Sequence, residues 1–236
     1  MKFKYTPYSA SKIKKFIECP RLFKYKYVDK IKVPFVPRIA FEKGNFFHYA
    51  LEKYPAPQVK PFNFNLSKRS DIIEYGKQLK TILNTPEIKE LLTTDERNVR
   101  EQWLNIMDTS GRIKVINGKI DYLRFISESE MEIIDWKTGK QWGNDATLED
   151  PQILIYVIWA FKTYPEINRI RTSYYYIERD EKVSYTFERE KDYEPLKQKI
   201  FNLINSIESE ENFVKTEHRF CHYCDYYNIC QEENHE

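Results

Sequence analysis

The chain has 236 residues, of which 41% are hydrophobic and 16% aromatic, and its net charge is +2. This composition excludes a disordered chain, and the length is enough to bury a core, so we expect one domain over residues 1–236. The first residues lack the apolar segment of a signal peptide, and no run of about 18 apolar residues could span a membrane. We therefore expect a soluble cytoplasmic protein.

Positive charge is concentrated in residues 1–38, a basic helical segment that also contains Cys19. This segment has eleven Lys or Arg residues against two acidic residues, a local charge of +9, which leaves −7 for the rest of the chain. Its basic and aromatic side chains are interleaved, which suits a ligand that offers phosphates and stackable bases. A solvated lysine face over a tyrosine-rich core has the same pattern. The candidate contact residues are Lys12, Lys14, Lys15, Arg21, Lys24 and Lys26.

The first part of the chain is predicted to be helical. Ser9 can cap a helix through Phe16 that stops at Cys19-Pro20, because proline disfavours helical geometry in the residue before it. Apolar residues at helical spacing predict a helix over Ile39–Tyr54, which places His48 inside a helix. A second short helix is predicted to follow the first and to end at about Tyr27. Two further helices are predicted, one from Ser67 to about Leu83 and one from Pro86 onward.

Beyond Val99 the pattern favours strands, at about 99–107, 112–116, 119–126 and 131–137. Asn117-Gly118 predicts a hairpin turn between two of them. Asp150-Pro151 is a typical helix start, so the apolar run Gln152–Phe161 is predicted to be a buried helix rather than a strand. Strands at about 170–178 and 182–188 and a helix over Asp192–Ile207 complete a core of residues 39–207, before a tail of residues 208–236.

Two carboxylates and a lysine stand out in the predicted strands. Asp121 lies in one strand, and the next presents Asp135 and Lys137 on one face, because strand side chains alternate. Carboxylates in apolar strand sequence are costly to bury unless a charge neutralises them, and a divalent cation with oxygen ligands does so. The alternative is an ordinary salt bridge across a hairpin.

Three further polar residues accompany these carboxylates. His48 offers an imidazole from an upstream helix, and Gln152 and Tyr156, four residues apart, share one face of the helix after the strands. Each of them also fits an ordinary position in a core. Together with the carboxylates they indicate a site for metal-assisted chemistry.

The four cysteines are found near the two ends of the chain. Cys19 lies near the start, and the other three follow a C-x₂-C-x₅-C spacing at Cys221, Cys224 and Cys230. In an intracellular chain, four thiols with this spacing suit a metal ion or cluster better than disulfides. Spacing alone does not separate zinc from iron and sulphur. His218 and His222 are surplus to a four-cysteine site.

The ordered motifs between His48 and Tyr156 resemble those of the RecB-like branch of the PD-(D/E)XK nuclease superfamily. The matching elements are His48 in a helix, Asp121 after Gly118-Lys119-Ile120, Asp135-Trp136-Lys137-Thr138-Gly139, and Gln152-x-x-x-Tyr156. The resemblance implies an α/β (α+β) restriction-endonuclease-like core, with a mixed central sheet flanked by helices.

The resemblance also implies roles for the site residues. Mg²⁺ or Mn²⁺ is expected on His48, Asp121, Asp135 and the carbonyl of Trp136. Lys137 is expected to assist the attacking water, and Gln152 and Tyr156 to contact DNA near the scissile phosphate. Glu101 on the preceding strand is expected to lie in an outer shell around the metal.

One cysteine near the start and three in the tail resemble the arrangement in AddB-type helicase-nucleases and CRISPR-associated RecB-like nucleases. This resemblance implies a [4Fe-4S] cluster that joins the two ends of the chain, with structural zinc as the alternative.

The function that we expect from these resemblances is a metal-dependent DNA nuclease that hydrolyses phosphodiester bonds. An exonuclease acting on DNA ends or single strands in recombination or repair is the main hypothesis. The alternatives are a catalytically weak DNA-end-binding subunit of a helicase-nuclease complex, and a structure- or site-specific endonuclease. The sequence contains no P-loop, so any helicase activity would come from a partner; a recombinase or a CRISPR-adaptation protein are other expected partners.

Overall fold

A computed structural model describes residues 4–34, 36, 38–54, 63–92, 96–108, 114–139 and 148–232. In chain order the elements are α1 (Ala10–Glu18), α2 (Pro20–Phe23), a π-helical segment (Lys24–Val28), α3 (Ile39–Lys53), α4 (Arg69–Ile82), α5 (Pro86–Leu91), β1 (Val99–Asp108), β2 (Lys114–Phe125), β3 (Glu130–Lys137), α6 (Pro151–Thr163), β4 (Arg169–Tyr176), β5 (Glu181–Glu188), α7 (Arg189–Ser209), a 3₁₀ turn (Cys221–Tyr223) and α8 (Tyr227–Glu232). None of the helices in these ranges is long and apolar enough to cross a membrane.

The strands form one mixed sheet in the order β1-β2-β3-β4-β5. β3 runs antiparallel to β2 and parallel to β4, and β5 returns antiparallel to β4. A parallel pair needs a long crossover connection, and the chain between β3 and β4 contains α6. The predicted α/β fold with a mixed sheet is confirmed, whereas the joining of the two ends by a cluster stays a prediction.

The buried helix predicted after Asp150 is confirmed as α6. The Asp150 carboxylate accepts a hydrogen bond from the backbone N–H of Gln152 at 2.8 Å, and Pro151 occupies the first turn. Every residue from Ile153 to Phe161 is buried, so this part of the helix has no solvent-exposed face. Its start signals, rather than hydrophobic periodicity, therefore identify it as a helix.

The predicted turn at Asn117-Gly118 is wrong, because β2 runs through both residues. The N–H of Tyr8 donates to the carbonyl of Val115 at 2.7 Å, and the N–H of Asn117 donates to the carbonyl of Tyr8 at 2.9 Å. The side chain of Asn105 also donates to that of Asn117 at 2.7 Å. These long-range pairings hold Asn117 extended and outweigh its local preference for a turn.

Two predicted helix starts are shifted by side-chain hydrogen bonds. α4 starts at Arg69 rather than Ser67, whose N–H and hydroxyl both donate to the carboxylate of Glu42. α7 starts three residues before the predicted Asp192, whose carboxylate accepts the N–H of Glu188 at 2.7 Å. In both cases a carboxylate satisfies backbone donors near the helix start.

The structure divides into two compact units built from interleaved segments of the chain. Segments 1–35, 105–118 and 195–236 form one unit, which we call the terminal unit. Segments 36–104 and 119–194 form the other, which we call the sheet unit. The organisation as one domain stays a prediction.

The core of the sheet unit lies between three helices and the sheet. Buried apolar side chains of α3, α4 and α5 pack against buried side chains of the strands, among them Tyr122, Ile134 and Trp136. Phe47, Ala50 and Leu51 form the buried side of α3. Burial of this side fixes the rotation of α3, and therefore the direction in which its remaining side chains point.

The terminal unit has an aromatic core and one anchoring carboxylate. The ring of Phe23 is fully buried and packs edge-on against Tyr5 and Phe16 and parallel to Phe213. The carboxylate of Glu208 in α7 accepts hydrogen bonds from the backbone N–H groups of residues 4 and 5 and from the hydroxyl of Tyr8. Part of the predicted tyrosine-rich core is thus found beneath the basic segment.

Candidate active site

Three side chains from different elements meet in the sheet unit. His48 of α3, Glu101 of β1 and Asp121 of β2 each offer one ligand atom, and these atoms all lie within 4.8 Å of one another. Nδ1 of His48 lies 3.4 Å from Oδ1 of Asp121. Their side chains are 32%, 16% and 14% exposed, respectively, so the group is half-buried and still reachable from solvent. We call these three residues the cation group.

The contacts of α3 and β3 explain how the cation group is placed. A Cβ atom at Gly44 would lie only 3.0 Å from Oγ1 of Thr138, so the missing side chain lets α3 approach the end of β3 closely. His48 follows one turn later on the same helix. The N–H of Trp136 donates to Oδ2 of Asp121 at 2.8 Å, which leaves Oδ1 directed to the imidazole.

Glu101 belongs to the cation group although the sequence indicated an outer position for it. Its backbone has φ = 56°, a left-handed conformation that is uncommon for residues other than glycine. Its carboxylate forms an ion pair with Lys119. Strained backbone in the middle of a strand is often found at functional sites.

The remaining predicted polar residues form a second, connected group around Asp135. The Oδ2 atom of Asp135 lies 2.5 Å from Nζ of Lys137, and its Oδ1 accepts the side-chain amide of Gln152 at 2.7 Å. That amide also lies 2.8 Å from the hydroxyl of Tyr156, which donates to the backbone carbonyl of Lys119 at 2.8 Å. Asp135 and Tyr156 are each only 4% exposed, so this group lies deeper than the cation group.

Burial and neighbouring charges shift the pKa values of both groups. Burial raises the pKa of Asp135, although the Lys137 charge opposes the shift. Burial alone would lower the pKa of Lys137, but the charge of Asp135 raises it above its usual value. Burial also works against protonation of His48, yet its hydrogen bond to Asp121 and the charge of that carboxylate raise its pKa. Lys137 is therefore an ammonium group in this arrangement.

The chemistry of these donors fits a divalent cation. Carboxylate oxygens suit Mg²⁺ and Mn²⁺, and an imidazole nitrogen suits transition-metal ions. The carboxylates of Glu101 and Asp135 are paired with Lys119 and Lys137, so two lysines partly balance the negative charge of the site.

The four cysteines come together in the terminal unit. Cys19, Cys221, Cys224 and Cys230 line one cavity, and none of them forms a disulfide. The N–H of Thr216 donates to Sγ of Cys19 at 3.4 Å, and the N–H of His218 donates to Sγ of Cys221 at 3.3 Å. Cys19 packs in an apolar cluster with Leu22, Tyr25 and Tyr226.

Several side chains of the basic segment are engaged within the terminal unit. The ammonium group of Lys12 donates to the carbonyls of Tyr5 and Pro7, and burial lowers the pKa of Lys12. Lys15 and Lys24 form ion pairs at 2.6 Å with Glu18 and Asp29, and Arg21 donates to the carbonyl of Phe213 at 3.3 Å. Lys14 also has an interaction within the protein, and Lys26 is exposed.

Sequence reasoning missed one member of the cation group, Glu101, and one residue beside it, Lys119. Glu101 was placed in an outer shell, and Lys119 was noted only as part of the motif before Asp121. One signal for Lys119 was available in the sequence. Lys119 lies two residues before the predicted metal ligand Asp121, on a strand next to the predicted strand that contains Glu101.

The chain is similar to a solved structure and to the sequence profile of one family. The solved structure titled "Crystal structure of SSO0001" is similar over 95% of this chain and 85% of that chain, with a TM-score of 0.46 and 14% sequence identity. No curated protein sequence gives a significant match. The sequence profile of the PD-(D/E)XK nuclease superfamily, whose members use divalent metal ions, matches residues 7–231. The match spans nearly the whole chain, which therefore belongs to the PD-(D/E)XK nuclease superfamily.

Proposed function

We propose that the chain is a RecB-like deoxyribonuclease dependent on Mg²⁺ or Mn²⁺, an exonuclease that acts on DNA ends or single strands. The convergence of the cation group with the Asp135–Lys137 pair on neighbouring strands carries this proposal. The order of the sequence motifs from His48 to Tyr156 supports the RecB-like branch.

We assign the cation to His48, Asp121, Asp135 and the carbonyl of Trp136, and we add Glu101 to this set. Glu101 is included because its ligand atom lies within 4.8 Å of those of His48 and Asp121. A divalent cation bound there would supply activation of a water molecule and would offset charge on the phosphate.

Lys137 is suited to stabilising negative charge. Because the charge of Asp135 raises its pKa, the ammonium group keeps its proton and can donate to a phosphate oxygen as charge builds up there. We propose that Lys137 assists the attack of water by donating to the phosphate.

Gln152 and Tyr156 serve as positioning residues for Asp135. Gln152 donates to Oδ1 of Asp135, and Tyr156 connects Gln152 with the carbonyl of Lys119. Burial and the charges of Asp135 and Asp121 raise the pKa of Tyr156 well above its usual value, so its hydroxyl stays protonated. These bonds hold the carboxylate in one orientation.

Replacement of a metal carboxylate tests the site. Asp121→Asn and Asp135→Asn should each lower the rate of DNA cleavage by at least about 100-fold while the protein still folds, since each carboxylate is proposed to hold the cation that activates water and offsets charge on the phosphate. Cleavage of end-labelled DNA with Mg²⁺ or Mn²⁺ measures the rate, and circular dichroism measures folding.

The matched control is Glu188→Gln, which alters an exposed carboxylate of the same sheet that pairs with Arg169 at 2.7 Å. This variant should cleave like the parent. Closed circular DNA should resist the parent enzyme, and rapid cutting of the circle would contradict the exonuclease. A parent protein that binds DNA ends without cutting them would show the end-binding subunit instead.

We further propose that the four cysteines hold a [4Fe-4S] cluster. Backbone N–H groups donate to the sulphur atoms of Cys19 and Cys221, and such bonds also tune iron–sulphur centres. In such a cluster each thiolate binds a different iron atom, and the four cysteines that line one cavity would supply the four ligands.

The basic segment is proposed to contact the DNA backbone through its exposed side chains. An open cleft in the terminal unit is lined by lysines and tyrosines, a combination suited to phosphates and bases. Its basic residues are Lys4, Lys12, Lys26 and Lys30. We also propose that the protein acts in recombination or repair. Its partner would be a helicase, a recombinase or a CRISPR-adaptation protein.

A further inference from the structure

Trp103 on β1 exposes a large aromatic surface to solvent. Its side chain is 71% exposed, more than any other large hydrophobic residue in the described part of the chain. The next residue, Leu104, is 2% exposed, so the strand alternates and Trp103 lies on its solvent side. A single exposed apolar residue is common on protein surfaces, so the groups beside Trp103 decide whether it marks a binding site.

Trp103 is connected to the cation group through one lysine. Nζ of Lys119 lies 5.4 Å from the centroid of the Trp103 ring, a cation–π distance, and the same ammonium group pairs with Glu101. Glu101 is a member of the cation group and has the left-handed backbone described above. An exposed aromatic face and a positive charge thus lie side by side next to the predicted centre of cleavage.

This combination selects the ligand. An unpaired nucleotide offers a flat base for the indole and a phosphate for the ammonium group, whereas an apolar protein partner would offer nothing to that ammonium group. Resting on the proposed nuclease function, we propose that Trp103 stacks on an unpaired nucleobase and positions a single strand at the cation group. A paired base inside a duplex cannot present its face, so the stack selects single-stranded DNA.

Binding to intact and abasic strands tests this inference. Trp103→Ala should weaken binding of fluorescein-labelled oligothymidylate by about 5- to 150-fold, the range for one base–aromatic stack. Trp103→Phe should retain most of the affinity. On a strand of abasic residues, Trp103→Ala and the parent should bind equally, because no base is present to stack. Measurement by fluorescence anisotropy in EDTA makes the result independent of cleavage.

Met107→Ala is the matched control, since it removes an exposed apolar side chain from the same strand (50% exposed). It should bind both strands like the parent. Equal weakening by Trp103→Ala on both strands would overturn the inference, and so would a Trp103-dependent dimer in sedimentation, which would assign the indole to a second copy. If the parent binds as expected but cuts no DNA with Mg²⁺ or Mn²⁺, the proposed function fails and the stack stands.

Discussion

At the residue scale, β3 contains two buried carboxylates with opposite surroundings. Glu132 is fully buried, and Arg124, Ser173 and Lys182 all contact its carboxylate, at 2.8, 2.8 and 3.2 Å. Burial alone would raise the pKa of Glu132, but these partners lower it below its usual value. Asp135 has one cation beside it, and burial raises its pKa. The ordinary salt-bridge interpretation therefore suits Glu132, whereas Asp135 keeps unbalanced charge that a metal ion could use.

Glu132→Gln should make the protein less stable and less sensitive to acid. Removing one member of a buried ion pair costs about 3–5 kcal/mol at neutral pH. The folded pKa of Glu132 is lowered, so its contribution is present above the unfolded value of about 4.3 and is lost as the pH falls through the folded pKa. Urea unfolding at about pH 7 and about pH 3 should show a smaller acid-induced loss in the variant than in the parent.

Glu188→Gln supplies the comparison for this measurement. Its side chain is 45% exposed and pairs with an arginine whose side chain is 54% exposed, and such exposed pairs contribute little to stability. This variant should follow the parent across the whole pH range. Parallel stability curves for Glu132→Gln and the parent would show that Glu132 is not ionised in the folded protein.

At the element scale, the junction of α6 with β2 and β3 sets the orientation of the deeper group. Tyr156→Phe removes one hydroxyl that donates to the Lys119 carbonyl on β2 and accepts the Gln152 amide. The unfolding free energy should fall by about 1 kcal/mol, because a buried carbonyl loses its donor. Cleavage should fall by about 10-fold, the lower end for loss of a group that orients a metal ligand.

The control for Tyr156→Phe is Tyr193→Phe in α7, which leaves the ring contact with Phe161 in place. Cleavage assays and thermal unfolding of the parent and the two variants separate the loss of cleavage from the loss of stability. Unchanged cleavage in Tyr156→Phe, with the expected loss of stability, would limit Tyr156 to a structural role.

Residues 10–30 contain lysines with different roles. Lys26 and Lys30 are exposed, whereas Lys12 donates to backbone carbonyls. Replacing Lys26 and Lys30 by Gln should flatten the plot of log affinity against log salt by about 0.7 for each phosphate of single-stranded DNA that a lysine no longer neutralises. Lys12→Gln should instead lower the melting temperature. A salt slope that stays at the parent value in the double variant would remove these lysines from the DNA interface.

The sequence predicts elements well where the deciding interactions are local. Ser9 caps α1 and Asp150 caps α6, because each accepts an N–H from two or three residues ahead. The turn at Asn117 fails because Tyr8, more than 100 positions earlier, pairs with the same backbone. Glu101 was undervalued for the same reason, since its left-handed backbone and its approach to His48 depend on packing between distant elements.

At the scale of the whole molecule, Cys19 lies between the first two helices of the terminal unit and Cys230 in its last, so the proposed cluster would join these helices. Cys19→Ala should abolish a broad absorption near 400 nm in protein purified without oxygen, a property implied by resemblance to iron–sulphur nucleases. It should also lower the melting temperature, because a crosslink between residues about 200 positions apart restricts the unfolded chain strongly. Absorption spectroscopy, iron analysis and thermal unfolding measure these effects.

His222→Ala is the control for the cysteine variant, because His222 is exposed and surplus to the four thiols. It should keep both the colour and the stability of the parent. A colourless parent with one equivalent of zinc would replace the cluster by a zinc site. A parent without metal, together with a fully stable Cys19→Ala variant, would contradict both.

The interleaving of the two units has a consequence for synthesis on the ribosome. The chain passes from one unit to the other after residues 35, 104, 118 and 194. All segments of the sheet unit have been made once residue 194 is complete, whereas the terminal unit still lacks α8 and three of its cysteines. Elongation proceeds at about 5–20 residues per second. The first helices of the terminal unit therefore lack the segment 195–236 for a time, during which the sheet unit can already fold. The nascent chain would carry its DNA-cleaving groups before the unit proposed to hold the cluster is finished.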